Sequence, residues 1–227
     1  MLLIPNVGVN NFFQKKILKR GDFMTALNRI SGAIANKIRD NTKEIDEEKY
    51  EVIKYGIYII IGDTTKFIIV LSLAYIFGIL DYALITFISL CITKTISGGV
   101  HAKTWTKCLL SNIFIVFGTI ITAHLLSGIN PLIFTIFLYP ACFILFFKYS
   151  PSDNENRPIK SMKFRKVLKT LSLMVISIQF FLASFYFLPL LSYILILTVV
   201  VNAVSILPVT YKLTGNKYGD SYDSTSD

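Results

Sequence analysis

This chain of 227 residues is short of charge. Asp, Glu, Lys and Arg make up 16% of it, where a soluble domain carries about a quarter. Acidic residues are the scarcer sign, 14 against 23 basic, for a net charge of +9. Histidine occurs twice, cysteine three times and tryptophan once. These shortages narrow the function classes. Three cysteines (Cys91, Cys108 and Cys142), two of them inside apolar runs, argue against a disulfide framework. No CxxC pair and no second histidine lies at zinc-ligand spacing, so neither a metal nor a cofactor is expected. Met1 to Pro5 supplies no h-region, basic start or cleavage site, so no secretory signal peptide is expected. The positive charge sits beside apolar runs without base-stacking or recognition motifs, and no nucleic acid is expected as a partner.

What is abundant is apolar sequence, 53% of the chain, gathered in long runs between polar segments. That pattern predicts an all-α, polytopic helical membrane protein. Six spans are expected, over 54–80, 82–96, 109–128, 132–147, 167–188 and 189–207. Asp81 marks the tight turn between the first two, and Asn130-Pro131 the one after the third. The second and fourth are short for a bilayer that needs about 20 residues. Ahead of the spans, Phe23, Leu27, Ile30, Ile34 and Ile38 recur at helical spacing among Lys19, Arg20, Arg29, Lys37 and Arg39. An amphipathic helix over 22–40 follows, lying either on the membrane surface or against the protein's own cytosolic face. The acidic run 43–51 reads as a solvated linker. The expected organisation is an interfacial segment at 1–50, a membrane domain at 51–210 and a flexible tail at 211–227.

Lysine and arginine set the orientation. They crowd the N-terminal segment, the segment of Lys94, Lys103 and Lys107, and the loop from Lys148 to Lys169. Six spans put all three on one side with both termini, and the positive-inside rule makes that side the cytosol of a multi-pass cell-membrane protein. Anionic lipid is then an expected partner.

Chemistry concentrates between the second and third spans. Ser97-Gly98-Gly99 breaks the apolar run; His101 follows, and Cys108 comes seven residues later. Thr104, or else Ser97, caps the next helix, leaving Cys108 in its first turns, where the helix dipole, Lys103 and Lys107 favour a thiolate. Seven residues of straight helix rise about 10 Å. A nucleophile and its base meet at about 3 Å, so His101 must fold back from the glycine loop to reach Cys108. A surface histidine and an inert interfacial cysteine fit the same spacing. Backbone amides near Gly98 and Gly99 are oxyanion candidates. Asp63 and Lys66 interrupt the first span at i and i+3: a neutral pair on one face, or an Asp63 that orients the imidazole or meets substrate. His124 is expected to bond within the bundle, and Cys91 and Cys142 to pack.

The segment from Ser97 to Cys108, SGGVHAKTWTKC, resembles the signature of the accessory gene regulator protein B family, membrane peptidases of Gram-positive quorum sensing. Tyr149 to Ile159, YSPSDNENRPI, is similar to the family's second shared segment. The resemblance implies a cysteine endopeptidase with His101 and Cys108 as the catalytic pair. It further implies a precursor peptide with an acidic C-terminal tail as substrate, closure to a thiolactone or lactone, and a homodimer. The family's arginine before the glycines stands here as Lys94, which keeps charge without bidentate carboxylate binding. Two other classes fit the residues alone. One is a membrane S-acyltransferase on the same cysteine, though its Asp-His-His-Cys cluster is missing. The other is a non-enzymatic transporter or scaffold with Asp63 and Lys66 along a polar path.

Overall fold

The computed structural model describes residues 22–42, 45–100, 102, 104–152, 161–185 and 188–216. Eight helices follow one another in them: α1 (Asp22–Asn41), α2 (Glu47–Ile76), α3 (Leu80–Ser97), α4 (Trp105–Leu126), α5 (Pro131–Tyr149), α6 (Met162–Phe185), α7 (Pro189–Ser205) and α8 (Pro208–Leu213). Five of them, α2 to α6, are long and apolar enough to cross a membrane. This is an all-α, polytopic membrane protein. The contacts divide the chain into two compact units, 1–69 and 70–227.

In the first unit the stripe expected on one face of α1 splits in two. Leu27, Ser31 and Ala35 are buried, whereas Ile30, Ile34 and Ile38 are exposed. Both series repeat every fourth residue, so they run as parallel rows along the helix. In the acidic run Asp46 to Lys49 and Glu51 are exposed, but Tyr50 is buried, and from Glu47 onward the run is helix rather than linker. Glu47 and Glu48 occupy the first turn of α2, where the dipole favours negative charge. Arg39 bridges to Glu47 at 3.5 Å and lies over the buried Tyr50 ring, 4.6 Å from its centroid.

The second unit is organised around α7. Nine of its residues are buried, from Leu191 to Ala203. A largely apolar helix with buried residues on several faces belongs in an interior. At 17 residues it is about 26 Å long, less than the roughly 30 Å hydrocarbon core, and protein rather than lipid surrounds much of it. Leu191, Tyr193 and Ile194 join Val70, Ala74, Ala83, Val116, Ile120 and Ala123 in one apolar cluster. Ile196, Val199 and Ala203 join Cys142, Phe146, Ile176 and Phe180 in a second. Fully buried Ala74, Ala83 and Ala123 let neighbouring backbones approach closely.

Two expected boundaries move. The turn after the first span centres on Gly78 rather than Asp81. Gly78 takes φ +67°, the left-handed conformation that ends helices, and Asp81 falls in the first turn of α3. Helix α6 begins at Met162, so Lys163, Arg165, Lys166 and Lys169 lie on a helix rather than in a loop. Their long stems allow this, since the ammonium can reach outward while the methylenes cover apolar surface. Lys169 Nζ sits 4.3 Å from the Phe147 ring centroid. The Asn130-Pro131 turn is as expected. Pro131 opens α5, and the Asn130 side chain accepts from Leu132 N–H at 3.0 Å.

Candidate active site

The glycine loop leaves α3 at Ser97, a fully buried residue whose hydroxyl donates to Thr93 O at 2.8 Å. Gly98 N–H closes the helix by donating to Lys94 O at 3.0 Å. Gly98 and Gly99 then take φ +76° and +131°, a region that L side chains rarely enter. Space restricts them as well. A Cβ on Gly98 would stand 2.1 Å from the Ser152 carbonyl oxygen, and one on Gly99 would stand 2.6 Å from Ser205 Oγ.

Those collisions identify what holds the loop. Ser152 N–H donates to Ser97 O at 2.8 Å, forming an isolated parallel bridge between Gly98 and Ser152. On the other flank Val100 N–H donates to Ser205 O at 3.0 Å, at the end of α7. The loop is therefore clamped between the segment after α5 and the end of the central helix. Ser152 is itself fixed, its Oγ donating to Tyr211 Oη of α8 at 2.8 Å. Ser150 Oγ donates to Ser172 Oγ of α6 at 2.8 Å. Pro151 O accepts from Arg165 at 3.4 Å.

Beyond the loop, Thr104 caps α4. Its hydroxyl accepts from Lys107 N–H at 3.2 Å, and its carbonyl accepts from Cys108 N–H at 2.9 Å. Cys108 is thus the fourth residue of α4, in the helix's first turn and half-buried. This matches the expected cap. His101 and Lys103 lie outside the described residues, as does the stretch 153–159 of the second motif. Lys94 is half-buried in the last turn of α3. Asp63 and Lys66 belong to the first unit, where Lys66 Nζ meets Asp63 Oδ1 at 2.5 Å; the Asp63 side chain is exposed and that of Lys66 buried. The expected i, i+3 pair is present.

Two expectations change outside the loop. Among the described residues the His124 side chain has no bond within the bundle: it is exposed in the last turn of α4, and the His124 carbonyl accepts from Ser127. Cys91 is exposed, while Cys142 packs in the second cluster as expected. Other polar residues near the loop escaped the sequence reading. Ser172, Ser205 and Tyr211 anchor it, and Asn202 is buried one turn before Ser205. A lone Asn in an apolar run carries the same signal that singled out Asp63 and Lys66.

A family model described as accessory gene regulator B matches residues 31–207. The chain belongs to the accessory gene regulator B family. AgrB proteins are accessory gene regulator proteins of quorum sensing, and this one is a membrane protein of that group. An AgrB-like protein 2 of Clostridium perfringens is 31% identical over 161 residues, 69% of this chain and 75% of that protein. An AgrB-like protein of Clostridium acetobutylicum is 28% identical over 186 residues, 80% of this chain and 87% of its own length. Protein FsrB of Enterococcus faecalis is 27% identical over 180 residues, 79% of this chain and 74% of that protein. No solved structure matches the chain. The stretch matched to AgrB contains both clamps, the Gly98–Ser152 bridge and the Val100–Ser205 bond, together with Cys108.

Proposed function

We propose that this AgrB protein is a membrane cysteine endopeptidase that removes the acidic C-terminal tail of an autoinducing-peptide precursor and promotes its cyclisation. One observation carries the reading: the glycine loop leading to His101 is clamped on both flanks, and a capped helix holding Cys108 follows within a few residues. A rigid loop beside a helix start is how a base and a thiol are held at fixed separation.

His101 takes the proton of Cys108, and the thiolate attacks the carbonyl carbon of the peptide bond to be cut. The C–N bond breaks, the imidazolium gives its proton to the leaving amine, and the tail departs. The thioester keeps the acyl group activated. A cysteine or serine of the bound peptide then loses its proton to His101 and attacks the same carbonyl. The Cys108 sulfur leaves, and the ring closes as a thiolactone or lactone. Exclusion of water from a membrane-face site favours that internal nucleophile over hydrolysis. Lys94, Ser97, Gly98, Gly99, Asp63 and Lys66 are the substrate and oxyanion candidates. The site faces the cytosol with both termini, the basic side chains there attract anionic lipid and the acidic tail, and the protein works as a homodimer.

The test is co-expression of the cognate precursor with this chain in a heterologous membrane, reading tail release by mass. Cys108→Ala and His101→Ala are expected to abolish release at unchanged membrane levels. Release that survives Cys108→Ala sinks the mechanism.

A further inference from the structure

A seam of polar side chains crosses the apolar interior of the second unit toward the glycine loop. On α3 it comprises Ser89, Thr93 and Ser97, spaced four apart on one face. Thr198 and Asn202 continue it on α7, and Gln179 joins from α6. All six are buried. Five are satisfied by hydrogen bonds. Ser89 Oγ and Thr198 Oγ1 are paired at 2.7 Å. The Gln179 amide donates to Thr93 Oγ1 at 3.0 Å and to Ser89 O at 3.4 Å. Thr93 and Ser97 hydroxyls donate to carbonyls four residues back.

Asn202 is the exception. With 1% of its surface exposed, its Nδ2 is the one buried side-chain nitrogen or oxygen without a partner among the described residues. An unsatisfied amide in a low-dielectric interior is costly, so its persistence calls for an acceptor that arrives from elsewhere. Position says what arrives. Asn202 O accepts from Ser205 Oγ at 2.8 Å, and Ser205 O in turn accepts from Val100 N–H, the residue before His101. Asn202 therefore stands one helical turn before Ser205, whose carbonyl anchors the loop at Val100. A peptide presented to Cys108 brings carbonyl oxygens, which are acceptors of the required kind.

We propose that the Asn202 side chain is a substrate-binding donor whose Nδ2–H binds a backbone carbonyl oxygen of the precursor peptide beside the Gly98-Gly99 loop. This rests on the peptidase reading above and extends it to a residue whose contact is made only with substrate present. The chemistry is neutral and non-covalent, so it does not depend on residue identity in the peptide. It serves a binding register rather than selection of a side chain.

The experiment measures tail release from a labelled cognate precursor by the full-length protein in vesicles, comparing parent, Asn202→Leu and Asn202→Ala. Leu keeps the volume without the donor, and removing an unpaired amide is expected to leave the protein at least as heat-stable in detergent. The expected result is a KM raised about tenfold or more with a smaller change in kcat. Binding of the same precursor to Cys108→Ala is expected to weaken by the same factor when Asn202→Leu is added. A KM within twofold of the parent in a folded variant overturns the proposal. So does a loss confined to kcat, which would assign the amide to the His101 imidazole. Where Leu disturbs packing, Asn202→Ala is held to the same KM criterion. No release by the parent, against a precursor that it also fails to bind, overturns the peptidase reading and this one with it. Release by the parent with unchanged KM in the variants overturns this one alone.

Discussion

The Ser152 N–H donates to the Ser97 carbonyl at 2.8 Å, which ties the segment after α5 to the loop that leaves α3. Two stretches far apart in sequence, each with its own recognisable pattern, thus become one structure. Backbone rather than side chains makes the bridge, so it constrains the main-chain path of the loop and places a steric demand on Gly98.

Gly98→Ala is the sharpest test of that demand. A non-glycine residue at φ +76° costs about 1–3 kcal/mol, before the collision with Ser152 O is counted. The variant is expected to lose both tail release and thermal stability, the latter read by unfolding in detergent. Gly118→Ala serves as control, because a Cβ there meets nothing within 4 Å, and it is expected to behave as the parent.

The bond from Ser152 Oγ to Tyr211 Oη is buried at both ends. Tyr211→Phe leaves the Ser152 hydroxyl without its acceptor and is expected to cost about 1–3 kcal/mol. Ser152→Ala is expected to cost a similar amount. Because the two side chains share one bond, the double variant should fall short of the sum. A double-mutant cycle on unfolding free energy measures the shortfall; strict additivity would mean that the bond contributes nothing.

Gln179 links α6 to α3 through Ser89 and Thr93. Interhelical hydrogen bonds in membranes average about 0.6 kcal/mol and reach about 2. Gln179→Ala adds a cavity to that loss and is expected to destabilise by about 1–3 kcal/mol, with tail release retained in the folded fraction. Loss of release at full stability would move Gln179 from packing into the site.

The three thiols sit in different surroundings. Cys91 is exposed on a membrane-spanning helix, Cys142 is buried, and Cys108 lies half-buried in the first turn of α4. A membrane-impermeant maleimide applied to the protein in open vesicles is expected to modify Cys108 alone. The double variant Cys91→Ser, Cys142→Ala should keep its tail release, with labelling and inactivation following the same time course.

Much of this was legible in the residues, for identifiable reasons. The Asn130-Pro131 turn and the Thr104 cap are local signals, and each appears where expected; the apolar runs are legible as helices too, although their ends shift. Asp81 marks a turn by its charge, but a left-handed helix end requires glycine, so the turn falls at Gly78. The single stripe expected on α1 failed differently. Periodicity gives the angle between side chains, not which of two adjacent rows is buried. The clamp was out of reach: no local rule relates Ser97 to Ser152 or Val100 to Ser205, because those bonds depend on how α5 and α7 end in space.

The order of synthesis gives the central helix another meaning. Helix α7 supplies side chains to both apolar clusters, yet among the described residues it follows the other long helices. Until it arrives, the helices on either side lack their shared wall, and the glycine loop lacks its Ser205 anchor. The candidate site is therefore completed only once α7 has been made, well after the Gly98-Gly99 loop and Cys108. Premature termination before Ser205 would yield a membrane-inserted chain that carries Cys108 but lacks one clamp of the loop before it.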